Sequence, residues 1–132
     1  MLKIQQLINR NWKDLSRWLL VILLAGLAGI WLLKPGYFNM HDDGQMIRQL
    51  EMEKCFLDWQ IPCRWAPDMG YGYGLPLFNY YPHFPYLVGE IFRVFGFAFM
   101  DAVKYTFFFS ILVSGVGMYL LGRDLFGKLG GL

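Results

Sequence analysis

Two adjacent carboxylates, Asp42 and Asp43, follow His41 shortly after a long apolar stretch of the chain. Residues of these types have three uses at such a place. One carboxylate could be a general base that deprotonates a hydroxyl, both could hold a divalent metal cation with His41 as a further polar ligand, or one could cap a following helix. The residues alone leave these uses open, together with which aspartate would act and whether any cofactor is present.

Arg48 and Arg64 place cations near these carboxylates along the chain. An arginine suits a phosphate because its guanidinium can donate two parallel hydrogen bonds. The simpler alternatives are a contact with a lipid headgroup or an ion pair within a helix, such as Arg48 with Glu51.

Glycines and tyrosines alternate from Gly70 to Gly74, and an aromatic and proline-rich segment follows at Phe78–Pro82. Glycines and prolines at this density predict turns with specified backbone dihedrals and little regular structure. The loop could present rings that stack on a sugar, or it could be an aromatic belt at a membrane interface. The stacking candidates are Tyr71, Tyr73, Tyr80 and Tyr81.

The composition indicates an all-α membrane protein. Hydrophobic residues make up 56% of the 132 residues and charged residues only 17%, against roughly 25% charged in an ordinary soluble domain. No charge occurs in 18–33 or in 105–121, and each stretch, with help from its flanks, is close to the length that crosses a ~30 Å hydrocarbon core. A secretory signal peptide is the alternative for residues 1–33.

Charge distribution predicts the topology. Residues 1–17 carry a net charge of +3, residues 34–104 a net charge of −2, and residues 122–132 a net charge of +1. The positive-inside rule then places both termini in the cytoplasm of a bacterial-type plasma membrane. The basic N-terminus is interpreted as a topology signal that contacts lipid headgroups, not as a nucleic-acid site.

These patterns divide the chain into five segments, with an amphipathic cytoplasmic segment first and one extracytoplasmic loop between two crossings. Within the loop we expect surface helices at about 43–59, capped by Asp42 or Asp43, and 85–98. A crossing by the second of these would bury Glu90 and Arg93 at about 2.5 to 3.5 kcal/mol each. The segments are 1–17, transmembrane helix 1 at 18–38, the loop at 39–104, transmembrane helix 2 at 105–121 and a cytoplasmic end at 122–132.

Cys55 and Cys63 both fall in the predicted loop. An oxidising compartment would permit a disulfide between them, but two separate thiols are the favoured expectation. Metal binding by these two residues alone is not expected, because the spacing of a CxxC zinc site is absent.

Read together, four motifs resemble the bacterial integral membrane proteins called 6-pyruvoyl-tetrahydropterin-synthase-related. The resemblance covers about residues 38–122, and its most specific part is the Pro-Cys-Arg-Trp-Ala-Pro-Asp run followed by Gly-Tyr-Gly. The motifs are His41–Asp43, Ile61–Asp68, Gly70–Phe78 and Tyr80–Tyr86.

The layout of that family is similar to the GT-C glycosyltransferases, polytopic enzymes that take sugars from polyprenyl-phosphate carriers. The resemblance implies an N-terminal module of such an enzyme, with Asp42 or Asp43 catalytic and Arg48 and Arg64 on the donor phosphate. Its partners would be membrane lipid, a polyprenyl-phosphate sugar and further transmembrane helices of a longer parent, without which the module is expected to be inactive. The alternative is a non-catalytic membrane protein, either a transporter fragment or an assembly subunit.

Overall fold

The computed structural model describes residues 2–37, 41–127 and 130, with side chains from residue 14 onward. Over these residues the chain forms helices and no β-strand, which confirms the expected all-α class. Short 3-10 turns at Ile30–Leu33 and Leu77–Asn79 supplement four α-helices. The helices are α1 at Leu2–Ala28, α2 at Gly44–Leu57, α3 at Phe84–Val94 and α4 at Phe99–Phe126.

Helix α4 is the one helix in the described part of the chain that is long and apolar enough to cross a membrane. Its 28 residues have a window of mean hydropathy 1.6, and at 1.5 Å per residue they extend about 42 Å. The helix contains the whole predicted span at 105–121 and begins six residues before it. The crossing predicted for 18–38 stays a prediction.

Helix α1 is longer at its start and shorter at its end than the sequence patterns suggest. The amphipathic segment expected at 1–17 is not a separate helix over its described residues, because α1 continues without a break from Leu2 to Ala28. No proline interrupts this stretch, so the backbone hydrogen bonds can continue. The α-helix ends at Ala28, before the expected end of the crossing at residue 38, and a 3-10 turn continues the chain to Leu33.

Helix α1 and the residues of α4 from Phe108 onward form one compact unit. The two helices run antiparallel, because Trp18 meets Tyr119 with ring centroids 4.8 Å apart while Gly29 lies against Phe108. A Cβ at Gly115 would lie 2.9 Å from the Cβ of Ala25, so small residues allow the close approach. Ala25 and Gly29, four residues apart in the sequence, thus meet Gly115 and Phe108 of α4.

The second compact unit extends from Leu33 to Phe107 and contains α2 and α3. A small apolar core joins these helices to the loop between them. Phe78 meets Tyr86 edge to face, with ring centroids 5.7 Å apart, a favourable geometry for aromatic pairs. The buried members of this core are Met52, Cys55, Cys63, Phe78 and Tyr86.

Cys55 and Cys63 form a disulfide, so the expectation of two separate thiols is wrong. The chain reverses just after α2, where the N–H of Gln60 donates to the carbonyl of Cys55 at 2.8 Å and Trp59 takes a positive φ of 58°. This turn brings the two Cα atoms to 5.4 Å, within the range that a disulfide bridges. The eight-residue spacing of the two cysteines does not predict a turn this tight.

The glycine-tyrosine segment forms a turn closed by paired backbone bonds, as the sequence predicts. The N–H of Ala66 donates to the carbonyl of Leu75 at 2.8 Å, and the reverse bond is 2.9 Å. Gly74 has a φ of 82°, and a Cβ there would lie 2.3 Å from the indole nitrogen of Trp65. A glycine is therefore required at position 74 for both its dihedral and its contact with the ring.

Candidate functional site

An ion pair between Asp42 and Arg48 is the centre of the candidate site. The Nη1 of Arg48 donates to Oδ2 of Asp42 at 2.6 Å, and the N–H of Gly44 donates to Oδ1 at 2.9 Å. Asp42 precedes α2 and Arg48 lies one turn into it, so the arginine side chain reaches back to the start of the helix. The alternative in which Arg48 pairs with Glu51 is wrong.

Arg48 also covers the face of an aromatic ring. Its guanidinium carbon lies 4.2 Å from the ring centroid of Tyr81, which is a cation–π contact. Its side chain is 16% exposed, and its buried Nε has no hydrogen-bond partner in the described part of the chain. The guanidinium is therefore fixed in direction by Asp42 and Tyr81, with one unsatisfied donor.

The two aspartates have different surroundings. Asp43 is exposed, and its carboxylate accepts a hydrogen bond from the hydroxyl of Tyr37. Asp43 lies at the N-cap position of α2 but makes no capping bond with its side chain, whereas Asp42 accepts the first free N–H of that helix. The capping use thus belongs to Asp42, which leaves Asp43 as the carboxylate open to solvent.

These hydrogen bonds act on the pKa values of the site. The hydrogen bond from Arg48, with that from Gly44, holds the pKa of the Asp42 carboxyl below its ordinary value, and the exposed His41 adds a small effect in the same direction. Asp42 therefore stays ionised.

The other predicted site residues lie on the surface. Arg64 is exposed and forms no ion pair with any described residue. Tyr71, Tyr73 and Tyr80 are almost fully exposed, while Tyr81 is half-buried. The structure thus joins Asp42, Arg48 and Tyr81 by direct contacts, whereas Arg64 and the other three tyrosines are exposed to solvent.

The donor set does not favour a metal at the acidic pair. Across residues 2–37 and 41–127, no three His, Cys, Asp or Glu side chains converge on a point that could hold a cation. Both oxygens of Asp42 already accept hydrogen bonds, and Asp43 accepts one from Tyr37. We therefore derive no step through a metal.

Three pairs of polar side chains, spaced about one turn apart on each helix, join α2 to α3 next to the candidate site. The hydroxyl of Tyr86 donates to Gln45 at 2.8 Å, and Nε2 of Gln49 donates to Glu90 at 2.5 Å. Arg93 completes the series with Glu53 at 2.7 Å. Because the partners advance together along both helices, α2 and α3 are parallel, and Tyr86 is held next to Tyr81 with ring centroids 6.3 Å apart.

Burial changes the ionisation of this interface. Desolvation raises the pKa of Glu90 to about 7 and that of Tyr86 to about 12. It also raises the pKa of the fully buried Glu51, whose Oε2 accepts from the N–H of Asp68 at 3.1 Å. Glu51 thus ties α2 to the loop and is not available to Arg48.

Lys104 fixes the chain that precedes the acidic pair. Its side chain is almost fully buried, and its ammonium donates to the carbonyl of Lys34 at 2.7 Å and that of Gly36 at 3.1 Å. A bond of 2.8 Å to Asp101 uses the third donor. This contact holds the segment from which Tyr37 reaches Asp43.

Sequence reasoning missed Tyr37, Lys104 and the polar contacts between α2 and α3. A signal for these contacts was present: Gln45, Gln49 and Glu53 recur at four-residue spacing, and Tyr86, Glu90 and Arg93 follow nearly the same spacing. Each set therefore lies on one face of its helix. No comparable pattern points to Tyr37, which lies outside the helices and meets Asp43 six residues on, or to Lys104, whose carbonyl acceptors are 70 and 68 residues away.

Comparison of the chain with protein-family models, with curated proteins and with solved structures found no match to any of them.

Proposed function

We propose that this chain is the N-terminal module of a membrane glycosyltransferase that uses a polyprenyl-phosphate-linked sugar at the outer membrane face. In this proposal residues 18–38 form a first crossing and α4 a second, as in the GT-C layout. The observation that carries the proposal is the arrangement around Arg48. Its guanidinium is fixed by Asp42 and Tyr81, and its buried Nε has no hydrogen-bond partner among the described residues.

Arg48 would hold the phosphate of the donor. A guanidinium that is already oriented loses little further freedom when it binds a phosphate oxygen, which favours the contact. The ring of Tyr81 lies against one face of the guanidinium, and the ion pair with Asp42 keeps the guanidinium directed toward the start of α2. Arg64, Tyr71, Tyr73 and Tyr80 are exposed and would contact the carrier or the sugar only after binding.

Asp43 is the better placed of the two carboxylates for a general base. It is exposed, whereas both oxygens of Asp42 are engaged by groups of its own chain. In an inverting displacement, Asp43 takes the proton of the acceptor hydroxyl and the hydroxyl oxygen attacks the anomeric carbon of the sugar. The bond from that carbon to the phosphate oxygen breaks, and the polyprenyl phosphate leaves with its negative charge near Arg48.

The disulfide supports a location outside the cytoplasm for the loop. Cys55 and Cys63 are bonded inside the small core of the second unit, and disulfides persist in oxidising compartments. This agrees with the charge pattern, which places both termini inside and residues 39–104 outside a bacterial-type plasma membrane.

An assembly subunit without catalytic activity is the second candidate function. It is favoured by the observation that Asp42 accepts hydrogen bonds from Gly44, Gln45 and Arg48, which are all at the start of α2. A subunit would need Asp42 and Arg48 only to hold the start of α2. It would therefore tolerate loss of the Asp43 carboxylate.

Binding of a synthetic polyprenyl phosphate to the chain in lipid nanodiscs tests the role of Arg48. We expect Arg48→Gln to weaken binding at least about tenfold, because a charge-assisted hydrogen bond contributes about 1.5 to 3 kcal/mol. Arg48→Lys keeps the charge but not the paired donors, so its affinity should lie between those of the unmutated chain and Arg48→Gln. Arg123→Gln is the matched control, and equal binding by all four proteins would exclude a phosphate site at Arg48.

A further inference from the structure

The polar side of helix α3 packs against α2. Tyr86, Gly89 and Glu90 are buried against α2, and Arg93 on the same side pairs with Glu53. A Cβ at Gly89 would lie 2.1 Å from Oε1 of Gln49, so the amide of Gln49 occupies the space that a side chain at position 89 would fill. The interface between these helices is therefore closed and hydrogen-bonded.

The opposite side of α3 is apolar and exposed. Its residues follow three- and four-residue spacing, which places them on one stripe of the helix. No charged residue interrupts the stripe, although Val94 is 85% exposed and Ile91 55% exposed. The stripe consists of Phe84, Leu87, Ile91, Val94 and Phe95. This polarity is the reverse of that of a helix on a water-soluble domain.

An open groove of about 530 Å³ continues the apolar stripe across to α2. Phe56 and Leu57 line it from α2, and four residues of the stripe line it from α3. The charged groups at the groove already have partners, because Glu53 pairs with Arg93 and Glu90 accepts from Gln49. The groove therefore offers hydrocarbon contacts and no unpaired cation to an occupant.

The chain connects this surface to the helix that can cross a membrane. Four residues separate the end of α3 at Val94 from the start of α4 at Phe99, which limits the separation to roughly 18 Å. The connection is also held compact, since Arg93 donates to the carbonyl of Phe97 at 2.7 Å and Phe97 packs on Tyr105 with ring centroids 5.2 Å apart. If α4 lies in a bilayer, hydrocarbon is within reach of the stripe.

We infer that the stripe of α3 and the adjoining groove dock into the acyl-chain region of a phospholipid bilayer, with lipid chains filling the groove. The polar contacts between α2 and α3 stay shielded on the other side, where no lipid can compete for them. This inference rests on insertion of α4 in a membrane and not on sugar transfer. Its failure would leave the proposed reaction untouched, and failure of the reaction would leave this surface unchanged.

Site-directed spin labelling of the full chain in phosphatidylcholine vesicles tests the inference. Ile91→Cys and Val94→Cys place a label on the stripe, and the native cysteines do not react because they are bonded. Asn79→Cys is the control, since this residue is polar and exposed in the turn Leu77–Asn79. We expect the labels at positions 91 and 94 to be several-fold more accessible to oxygen than to a water-soluble nickel complex, and the label at 79 to show the reverse.

Three other results would overturn the inference. Labels at 91 and 94 that prefer the nickel complex would show that the stripe faces water. Labels shielded from both reagents would show that another part of the protein covers it. Spin–spin broadening between labelled chains, which disappears on dilution with unlabelled chain, would show that a second copy does.

Discussion

Gln49 of α2 donates a hydrogen bond of 2.5 Å to the carboxylate of Glu90 of α3, although the two residues are 41 positions apart. Both residues are buried, with exposures of 2% and 7%. The bond is the middle of the three contacts that set the register of α2 against α3. Desolvation raises the pKa of this Glu90 carboxyl to about 7, and Tyr86, one turn before Glu90, lies next to Tyr81.

Replacing Glu90 by Gln should remove a pH dependence of stability. Burial raises the pKa of Glu90 from 4.5 to about 7, so the folded chain binds this proton more tightly than the unfolded chain does. The free energy of unfolding should therefore fall by about 1 to 3 kcal/mol as the pH rises from 4.5 to 7, and stay level above that. Melting in detergent across this range should show the fall in the parent and not in Glu90→Gln.

Gly89→Ala should destabilise the α2–α3 pair. The new methyl would meet the amide of Gln49 at 2.1 Å and displace it from Glu90, at a cost of about 1 to 3 kcal/mol. Gly117→Ala is the matched control, because no atom lies within 4 Å of a Cβ there and alanine is the better helix former. Equal melting temperatures for the two variants would show that Gln49 can move aside freely.

Loss of the disulfide should lower stability, and its presence in cells indicates whether the loop lies in an oxidising compartment. The eight-residue separation of Cys55 and Cys63 predicts a loss of about 2 to 3 kcal/mol in the double variant to Ser. When cells that express the unmutated chain are lysed in denaturant, a thiol-reactive polymer added at once should find no free thiol in it. Two free thiols in that assay would place the loop in a reducing compartment and contradict the proposed topology.

Lys104→Met should loosen the segment before the acidic pair. The variant keeps the length of the side chain but leaves the carbonyls of Lys34 and Gly36 without their donor, which costs about 1 to 3 kcal/mol. Arg64→Met, at an exposed residue without an ion pair among the described residues, should be nearly neutral. Hydrogen exchange of the Gly36 and Tyr37 amides, followed by mass spectrometry, should quicken in Lys104→Met alone.

The helices were predictable because their signals are local. Absence of charge identified the apolar core of α4, the prolines and glycines identified the loop, and the polar residues Glu90 and Arg93 argued against a crossing by α3. At 11 residues α3 is only about 16 Å long. The continuity of α1 was not predicted, since the change from an amphipathic to an apolar pattern at Arg17 does not interrupt the backbone.

The candidate site was predictable in its residue types and not in its pairings. Asp42 and Arg48 were both identified, but the sequence suggested Glu51 as a partner because it lies three residues away on the same helix. Burial of Glu51 against the loop decides against that pair, and burial depends on residues 66–68, which sequence spacing does not place. The Cys55–Cys63 bond was not predicted for the same reason, since it depends on a turn at Trp59 that sequence spacing does not reveal.

Sugar transfer tests the central claim most directly, measured with the longer protein of which the proposal makes this chain a module. Asp43→Asn keeps the size of the side chain and its place before α2, yet it removes the base, so transfer from a polyprenyl-phosphate sugar should fall about 10²- to 10⁴-fold. Its melting temperature in detergent should stay near that of the parent. Asp42→Asn should weaken donor binding through Arg48 and also lower activity. Near-parental transfer by both single variants and by the double variant would contradict the account and leave the acidic pair as a cap of α2.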